Sequence, residues 1–316
     1  MIDIALVGTG GNMPMPNRFL ASMLIRYKGR KILVDCGEGT QVSLRLLKWG
    51  FKSIDIICIT HGHGDHILGL PGLLSTMGNS GREEPVYIIG PKGIGQIVKG
   101  LLIAVPYLPY DVFLVEARET SLAVNLSDQG IEIDKGELHR DLIISTLELD
   151  HSAPCIGYSF YMPRRPRFNV EKALSYGLPK KLWKALQRGE NVVHDGQLIS
   201  PLMVLDQARK GVKISYITDT RPVEKMAAFV WDSQLLICEG TYGDEDDINK
   251  AIENKHMTFS EAASIAHEGK VGELILTHFS PAMDNPEEFI CNAKSIFANT
   301  LIGYDRYTTS LKFPDE

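Results

Sequence analysis

The stretch Thr60-His61-Gly62-His63-Gly64-Asp65-His66 gathers three imidazoles and a carboxylate in a few residues. Histidine nitrogen and carboxylate oxygen are the donors that borderline divalent ions such as zinc prefer. In an extended segment, residues i and i+2 point the same way, so His61 and His63 can grip one ion. Asp65 and His66 follow where the backbone turns toward a helix, and they can face a second ion. Gly62 and Gly64 let the loop wrap and keep the ions accessible.

Elements that end at the right place must position these donors. The apolar, β-branched run Ile54-Asp55-Ile56-Ile57-Cys58-Ile59 predicts a buried strand leading straight into the loop. Three further runs repeat the pattern. Leu142 to Asp150 ends in His151, Val212 to Thr218 ends in Asp219, and Glu273 to Thr277 ends in His278. Each donor stands at the carboxyl end of an expected strand, where open α/β sheets gather their active sites.

The rest of the chain sets limits. Its 316 residues suffice for one large α/β domain or two small ones, and 44% hydrophobic with 23% charged residues is ordinary for a globular protein. The net charge of −6 gives no global attraction to nucleic acid, so any such site must be a local basic patch. Cys36, Cys58, Cys155, Cys238 and Cys291 form no CxxC and read as reduced thiols, mostly in the core. The chain opens on an expected strand without a leader pattern, and no apolar run reaches membrane-spanning length. These features point to the cytoplasm and away from a membrane.

Along the chain, strands are expected at 2–7, 20–27 and 30–35, the last two as a hairpin around Lys28-Gly29. Gly8-Thr9-Gly10-Gly11 reads as a turn, since the full dinucleotide-loop context is absent. Asp35 closes its strand, either as a turn former or as a support for the metal loop. Residues 40–49 are helical in pattern, with Val42, Leu46 and Trp49 on one stripe. Helix is expected at 67–77 and 91–102, and strand at 86–89. Strands at 112–116, 121–126, 131–133 and 142–149 would complete a first αβ half. His139 reads as a surface residue, and His194 and His267 as structural or surface histidines.

Strands at 212–218, 234–238 and 273–277 would form a second half, with helices near 221–230, 258–268 and 286–298. Thr258-Phe259-Ser260-Glu261 reads as a capping box. Between the halves, residues 158–205 break the pattern. From Arg164 to Glu190, eight basic residues stand against Glu171 and Glu190. This is either a solvated charged helix or an arm that holds RNA phosphates.

An ordered series of motifs covers nearly the whole chain. It runs through Leu6-Val7-Gly8-Thr9-Gly10-Gly11, Val34-Asp35-Cys36-Gly37-Glu38-Gly39-Thr40-Gln41, His61 to His66 and Gly69-Leu70-Pro71-Gly72. It continues through His151-Ser152-Ala153-Pro154, Thr218-Asp219-Thr220-Arg221-Pro222, His256-Met257-Thr258 and Leu276-Thr277-His278-Phe279-Ser280. The series resembles the metallo-β-lactamase superfamily and, within it, the ribonuclease Z branch.

The resemblance implies an α/β fold. This would be a four-layer αβ/βα sandwich of two mixed sheets with outer helices, as a single domain over 1–316 with an inserted basic arm at about 160–205. It implies a di-zinc endoribonuclease that removes the 3′ trailer of precursor transfer RNA and leaves a 3′-hydroxyl. One zinc would take His61, His63 and His151, the other Asp65, His66 and His278, and Asp219 would bridge them. Manganese or iron could occupy such a site.

Asp65 would also orient the attacking water and accept its proton. His256 would protonate the leaving oxygen, with its tautomer held by Glu239 at the end of the 235–238 run. Arg164, Arg165, Arg167, Lys180, Lys181 and Lys184 would grip RNA. The resemblance further implies a homodimer in which one subunit's arm serves the other, with no organic cofactor.

The chain departs from the family twice. Lys180-Lys181-Leu182-Trp183 replaces a Gly-Pro step before the arm's aromatic residue, and Ser280-Pro281-Ala282-Met283 replaces an arginine-tyrosine pair after the serine. These departures keep open a metal-dependent phosphodiesterase acting on a smaller substrate. A lactamase or lactonase is disfavoured by Asp65, the basic arm and His256-Met257-Thr258. A non-catalytic RNA binder would have lost donors, and every candidate donor is present.

Overall fold

The structure is a computed structural model that describes residues 1–117, 119, 121–127, 130–134 and 140–314. His139 lies outside the described residues.

Among these residues, seven strands form a first sheet: β1 (Ile2–Gly8), β2 (Ser22–Tyr27), β3 (Arg30–Val34), β4 (Ile54–Cys58), β5 (Val86–Gly90), β6 (Val112–Glu116) and the terminal β17 (Thr308–Leu311). Their order is β17-β1-β2-β3-β4-β5-β6, with β3 to β6 parallel. An eight-stranded second sheet holds β7 (Ser121–Ser127), β8 (Gly130–Asp134), β9 (Leu142–Leu149), β10 (Cys155–Arg164), β13 (Arg209–Ile217), β14 (Leu235–Glu239), β15 (Leu274–Thr277) and β16 (Thr300–Ile302). Its order is β16-β15-β14-β13-β10-β9-β7-β8, parallel from β13 to β16 and antiparallel elsewhere.

The sheets pack face to face. Ile4, Leu6, Met23 and Ile56 of the first meet Ile144, Tyr158, Phe160 and Ile237 of the second in one apolar core. The outer face of the first sheet is covered by α1 (Thr40–Leu47), α3 (Leu70–Asn79) and α4 (Ile94–Leu101). The outer face of the second is covered by α7 (Met226–Val230), α9 (Phe259–Glu268) and α10 (Ile290–Lys294). This is the αβ/βα sandwich the resemblance implies. Strand β4 is buried at every position, as expected of a central parallel strand covered on both faces.

Several expectations need correction. The strands over 121–149 do not complete the first half; β7, β8 and β9 belong to the second sheet. Too few residues separate Glu116 from Ser121 for the dozen-residue crossover that another parallel strand requires. The chain instead enters the other sheet, where β9 pairs antiparallel with β10 from Cys155↔Leu149 to Tyr161↔Ile143.

On α1, Val42 and Leu46 are exposed, and the buried face is Thr40, Ser43 and Leu44. The two hydroxyls are buried because they donate to the Gly37 and Val7 carbonyls. Trp49 lies beyond the helix, under the Arg26 guanidinium. The helix expected at 67–77 is two pieces, α2 (Gly64–Ile67) and α3. Those near 221–230 and 286–298 shorten to α7 and to α10 with a preceding 3-10 turn at Pro286–Phe289. Cys36, Cys58, Cys155 and Cys238 are buried, while Cys291 is exposed.

The segment between β10 and β13 carries α5 (Val170–Ser175), α6 (Lys180–Gln187) and the ribbon of β11 (Val192–His194) with β12 (Gln197–Ile199). It has its own small core of Ala173, Leu178, Leu186, Ile199 and Val204. Lys180, Lys181 and Lys184 are exposed on α6, and Arg165 and Arg167 are exposed at the base. Arg164 is still part of β10 and donates to the Pro314 carbonyl. Since β10 starts beside His151, about ten residues at roughly 3.3 Å each carry the chain some 30 Å before this segment begins.

At that far end, Arg82 is only 1% exposed. Its guanidinium donates to the carbonyls of Glu84, Lys52 and Pro85 at 2.7, 2.6 and 2.6 Å, and to Asp55 Oδ1 at 3.0 Å. Arg82→Ala would strip the buried Asp55 of its closest cation and orphan three carbonyls. We expect a loss of about 3–5 kcal/mol, read as a lower urea midpoint at unchanged slope.

Candidate metal centre

Six strand ends converge on one edge of the sandwich. β4 leads into His61, β9 into His151, β13 into Asp219, β15 into His278, β3 into Asp35, and β14 ends in Glu239. Asp35, Asp219 and His278 have φ of 57°, 48° and 59°, a left-handed conformation that non-glycine residues seldom adopt. In each case the chain turns sharply off its strand and aims the side chain across the edge. The loop after β1 closes over the cluster. A Cβ on Gly11 would lie 2.4 Å from the His278 imidazole, and the Asn12 N–H donates to Asp65 Oδ2 at 2.7 Å.

Two sets of donors stand side by side, and a third grouping, Glu239 with His256, shares His278 with the second. In the first, His61 Nε2 and His63 Nδ1 are 3.0 Å apart, and His151 Nε2 is 3.1 Å from His63 Nδ1. In the second, His66 Nε2 and His278 Nε2 are 3.2 Å apart, and Asp65 Oδ2 lies 3.4 and 3.5 Å from them. Asp219 stands between the sets. Its Oδ1 is 3.2 Å from His66 Nε2 and 3.1 Å from His278 Nε2, while its Oδ2 is 3.7 Å from His61 Nε2 and 3.8 Å from His151 Nε2.

Outward hydrogen bonds decide which ring nitrogens carry protons. Thr60 Oγ1 gives its proton to Asp35, so it accepts from His61 Nδ1 at 3.1 Å. Thr241 Oγ1 gives its proton to Glu239 and accepts from His278 Nδ1 at 3.1 Å. His66 Nδ1 donates to Asp35 at 2.8 Å, and His151 Nδ1 to the Lys255 carbonyl at 3.2 Å. Four Nε2 lone pairs therefore face inward, together with two carboxylates. Donors on a tetrahedral ion with bonds of 2.0–2.1 Å stand roughly 3.3 Å apart, which these separations match. The outward partners are the kind that orient metal-binding imidazoles. The residues fit a pair of metal ions.

Electrostatics agree. Burial opposes ionisation of Asp65 and Asp219, but the surrounding imidazoles outweigh it and hold both carboxyls below the usual range. Burial drives the His61 and His151 imidazoles down, toward the neutral donor form. Burial acts the same way on His66, yet Asp219 and Asp35 reverse it and favour a positive charge there. A metal cation would satisfy the same field.

Beside the two sets, His256 Nδ1 lies 3.2 Å from Glu239 Oε2. Glu239 is fully buried and also accepts from Thr220 N, Met257 N and Thr241 Oγ1. Its oxygens are thus already engaged, which suits a positioning carboxylate better than a metal ligand. Desolvation lowers the His256 pKa, but Glu239 more than offsets it and lifts the group to about 9. The capping box places His256 just before α9: Thr258 accepts from Glu261 N, and Glu261 from Thr258 N at 3.0 Å. Arg221 holds the same corner by donating to the His256 carbonyl and to Glu261.

An open cavity of about 570 Å³ exposes His63, Asp65, His151, Asp219, His256 and His278. The arm residues Arg165, Arg167, Lys180, Lys181 and Lys184 are not part of its lining. Sequence reading gave no role to Asn12, Thr241 and Tyr242, which line the cavity, or to Thr60, buried behind His61. A threonine or a backbone N–H carries no distinctive spacing, so no local signal marked them.

Residues 2–102, less than half of the chain, match the family described as Anti-Pycsar protein Apyc1. Ribonuclease Z from Clostridium tetani is 57% identical over 314 residues, covering 99% of each chain. Ribonuclease Z from Clostridium botulinum strain Alaska E43 is 55% identical over 315 residues, covering 100% of each. The short form of human tRNase Z superposes with a TM-score of 0.65 at 24% identity, over 99% of this chain and 100% of that one. The metallo-β-lactamase fold protein YhfI from Bacillus subtilis gives 0.68 at 18%, over 98% and 100%. At such identities the structural matches speak to the fold alone, whereas full-length identity above half does more: this chain belongs to the ribonuclease Z family and is a metal-dependent hydrolase of the metallo-β-lactamase fold.

Proposed function

We propose that this protein is a di-metal endoribonuclease that removes the 3′ trailer of precursor transfer RNA and leaves a 3′-hydroxyl on the transfer RNA. The observation that supports it most is Asp219, with one oxygen toward each imidazole set, in a chain of the ribonuclease Z family. His61, His63 and His151 would hold one ion, Asp65, His66 and His278 the other, and Asp219 both. The imidazole-rich donors favour zinc, and manganese or iron suits them too. When bound, such ions acidify water toward neutral pH and offset charge on the phosphate oxygens.

The chain's own groups handle the protons. Asp65 faces the cavity, is kept ionised, and is steadied by Asn12 N–H; it orients the attacking water and accepts its proton. Attack on phosphorus expels the 3′ oxygen of the mature RNA. His256 protonates that oxygen, and Glu239 at its Nδ1 fixes the tautomer and stabilises the imidazolium.

Substrate is held elsewhere. The basic face of the segment after β10, with Lys180, Lys181 and Lys184 exposed and Arg165 and Arg167 at its base, would grip RNA phosphates. It leaves the sandwich at the end opposite the donors, which supports a homodimer whose partner supplies the arm to each site. Replacing Lys180, Lys181 and Lys184 together by alanine should raise KM for RNA and flatten its salt dependence by about 0.7–0.9 per lost phosphate contact in the log–log slope. Hydrolysis of a small phosphodiester should be unchanged. Equal losses on both substrates would argue against a substrate-holding arm.

The deciding experiment incubates metal-loaded protein with a 3′-extended precursor transfer RNA. A single cut leaving a 3′-hydroxyl is expected. Intact RNA beside continued hydrolysis of bis(p-nitrophenyl) phosphate would move the assignment to a smaller phosphodiester.

A further inference from the structure

We propose that Tyr242 is the stacking platform for the base of the nucleotide immediately 5′ of the scissile phosphate, and that Asn254 holds the ring in place for it. The proposal rests on the endoribonuclease reading. Tyr242 lines the same open cavity as His256 and Asp219, and it is the one phenol or phenyl ring among the lining residues. Its ring centroid is 6.4 Å from that of His256. His256 serves the leaving 3′ oxygen, and one sugar ring separates that oxygen from its own base. The base therefore lies close to His256, and Tyr242 is the aromatic face that the same cavity wall offers it.

The tyrosine is fixed before any substrate arrives. Asn254 Nδ2, at the end of α8 (Ile248–Asn254), donates to its hydroxyl at 2.8 Å. Its backbone is pinned by Tyr242 N to Met257 O at 3.3 Å and Phe259 N to Tyr242 O at 3.0 Å, alongside the bridge between Tyr242 and Thr258. The ring is half-buried, so a base can cover it without ordering a loose side chain. Stacking on an aromatic face tolerates every base, as a nuclease serving many RNAs of differing end sequence requires. No hydrogen-bonded readout of the base is needed.

The test is a cycle between protein and substrate. Wild type, Tyr242→Phe and Tyr242→Ala act on a 3′-extended precursor transfer RNA and on the same RNA made abasic at the nucleotide 5′ of the mapped cut. Tyr242→Ala should lower kcat/KM on the intact RNA by roughly tenfold to a hundredfold, mainly through KM, and Tyr242→Phe, which keeps the aromatic face but loses the bond from Asn254, should show a smaller loss of roughly a few-fold. On the abasic RNA, wild type should already show that loss and Tyr242→Ala should add little to it. Independent, multiplying losses on the two RNAs would overturn the platform while leaving the endonuclease reading intact. A wild type that cuts neither RNA would overturn the endonuclease reading, and the platform with it.

Discussion

Asp219→Asn is expected to lower kcat/KM by about 10⁴-fold and to reduce bound metal from two ions per chain to one or none. Asp219 lies within 3.1–3.8 Å of four imidazole nitrogens, two through each oxygen. Among the described residues, no other carboxylate of the cluster faces both sets. Asparagine preserves the side-chain shape and tolerates the left-handed backbone, φ 48°, so the fold should survive. What is lost is the negative charge and the shared ligand, and with them several kcal/mol of charge stabilisation at the phosphate. Metal content by mass spectrometry, read beside the melting temperature, separates this from unfolding. Two retained ions with near-normal turnover would refute the bridging role.

The second large effect depends on the leaving group. His256→Ala should cut the rate on transfer RNA by roughly 10²–10⁴-fold, because an alkoxide leaves poorly without a proton. Bis(p-nitrophenyl) phosphate expels a phenolate that needs no acid, so its hydrolysis should remain near wild type. Glu239→Gln should lower the rate on transfer RNA by about 10- to 100-fold, since an amide no longer stabilises the imidazolium, with a smaller loss on the phenolate ester because the amide NH2 also disturbs Thr241 and, through it, His278. If both substrates suffer equally in both variants, His256 and Glu239 act on the metal centre and not on the leaving oxygen.

Much of this site was legible in the linear chain. His61, His63, Asp65 and His66 share one loop, so their spacing alone declares metal chemistry. His151, Asp219 and His278 each follow an apolar, β-branched run, and a strand end is recognisable without knowing its neighbours. The capping box at Thr258 is local too, which is why its reading matched the structure.

Other features depend on what the chain meets. Local pattern favoured placing the strands over 121–149 in the first half, but a short connection and antiparallel partners put them in the second sheet. The stripe of Val42 and Leu46 suggested a buried helix face, yet hydroxyls bonded to passing carbonyls won that face for Thr40 and Ser43. The sequence by itself determined the donor types, the strands that carry them and the basic character of the segment before β13. Only the tertiary structure decided that Asp219 turns one oxygen to each set, that Thr60 and Thr241 set the imidazole tautomers, and that Tyr242 stands beside His256. Except for Thr60, which neighbours His61 and is itself oriented by the more distant Asp35, those are contacts between residues well separated in the chain, and they exist only once two sheets have closed and strained strand ends have been aimed at a common edge.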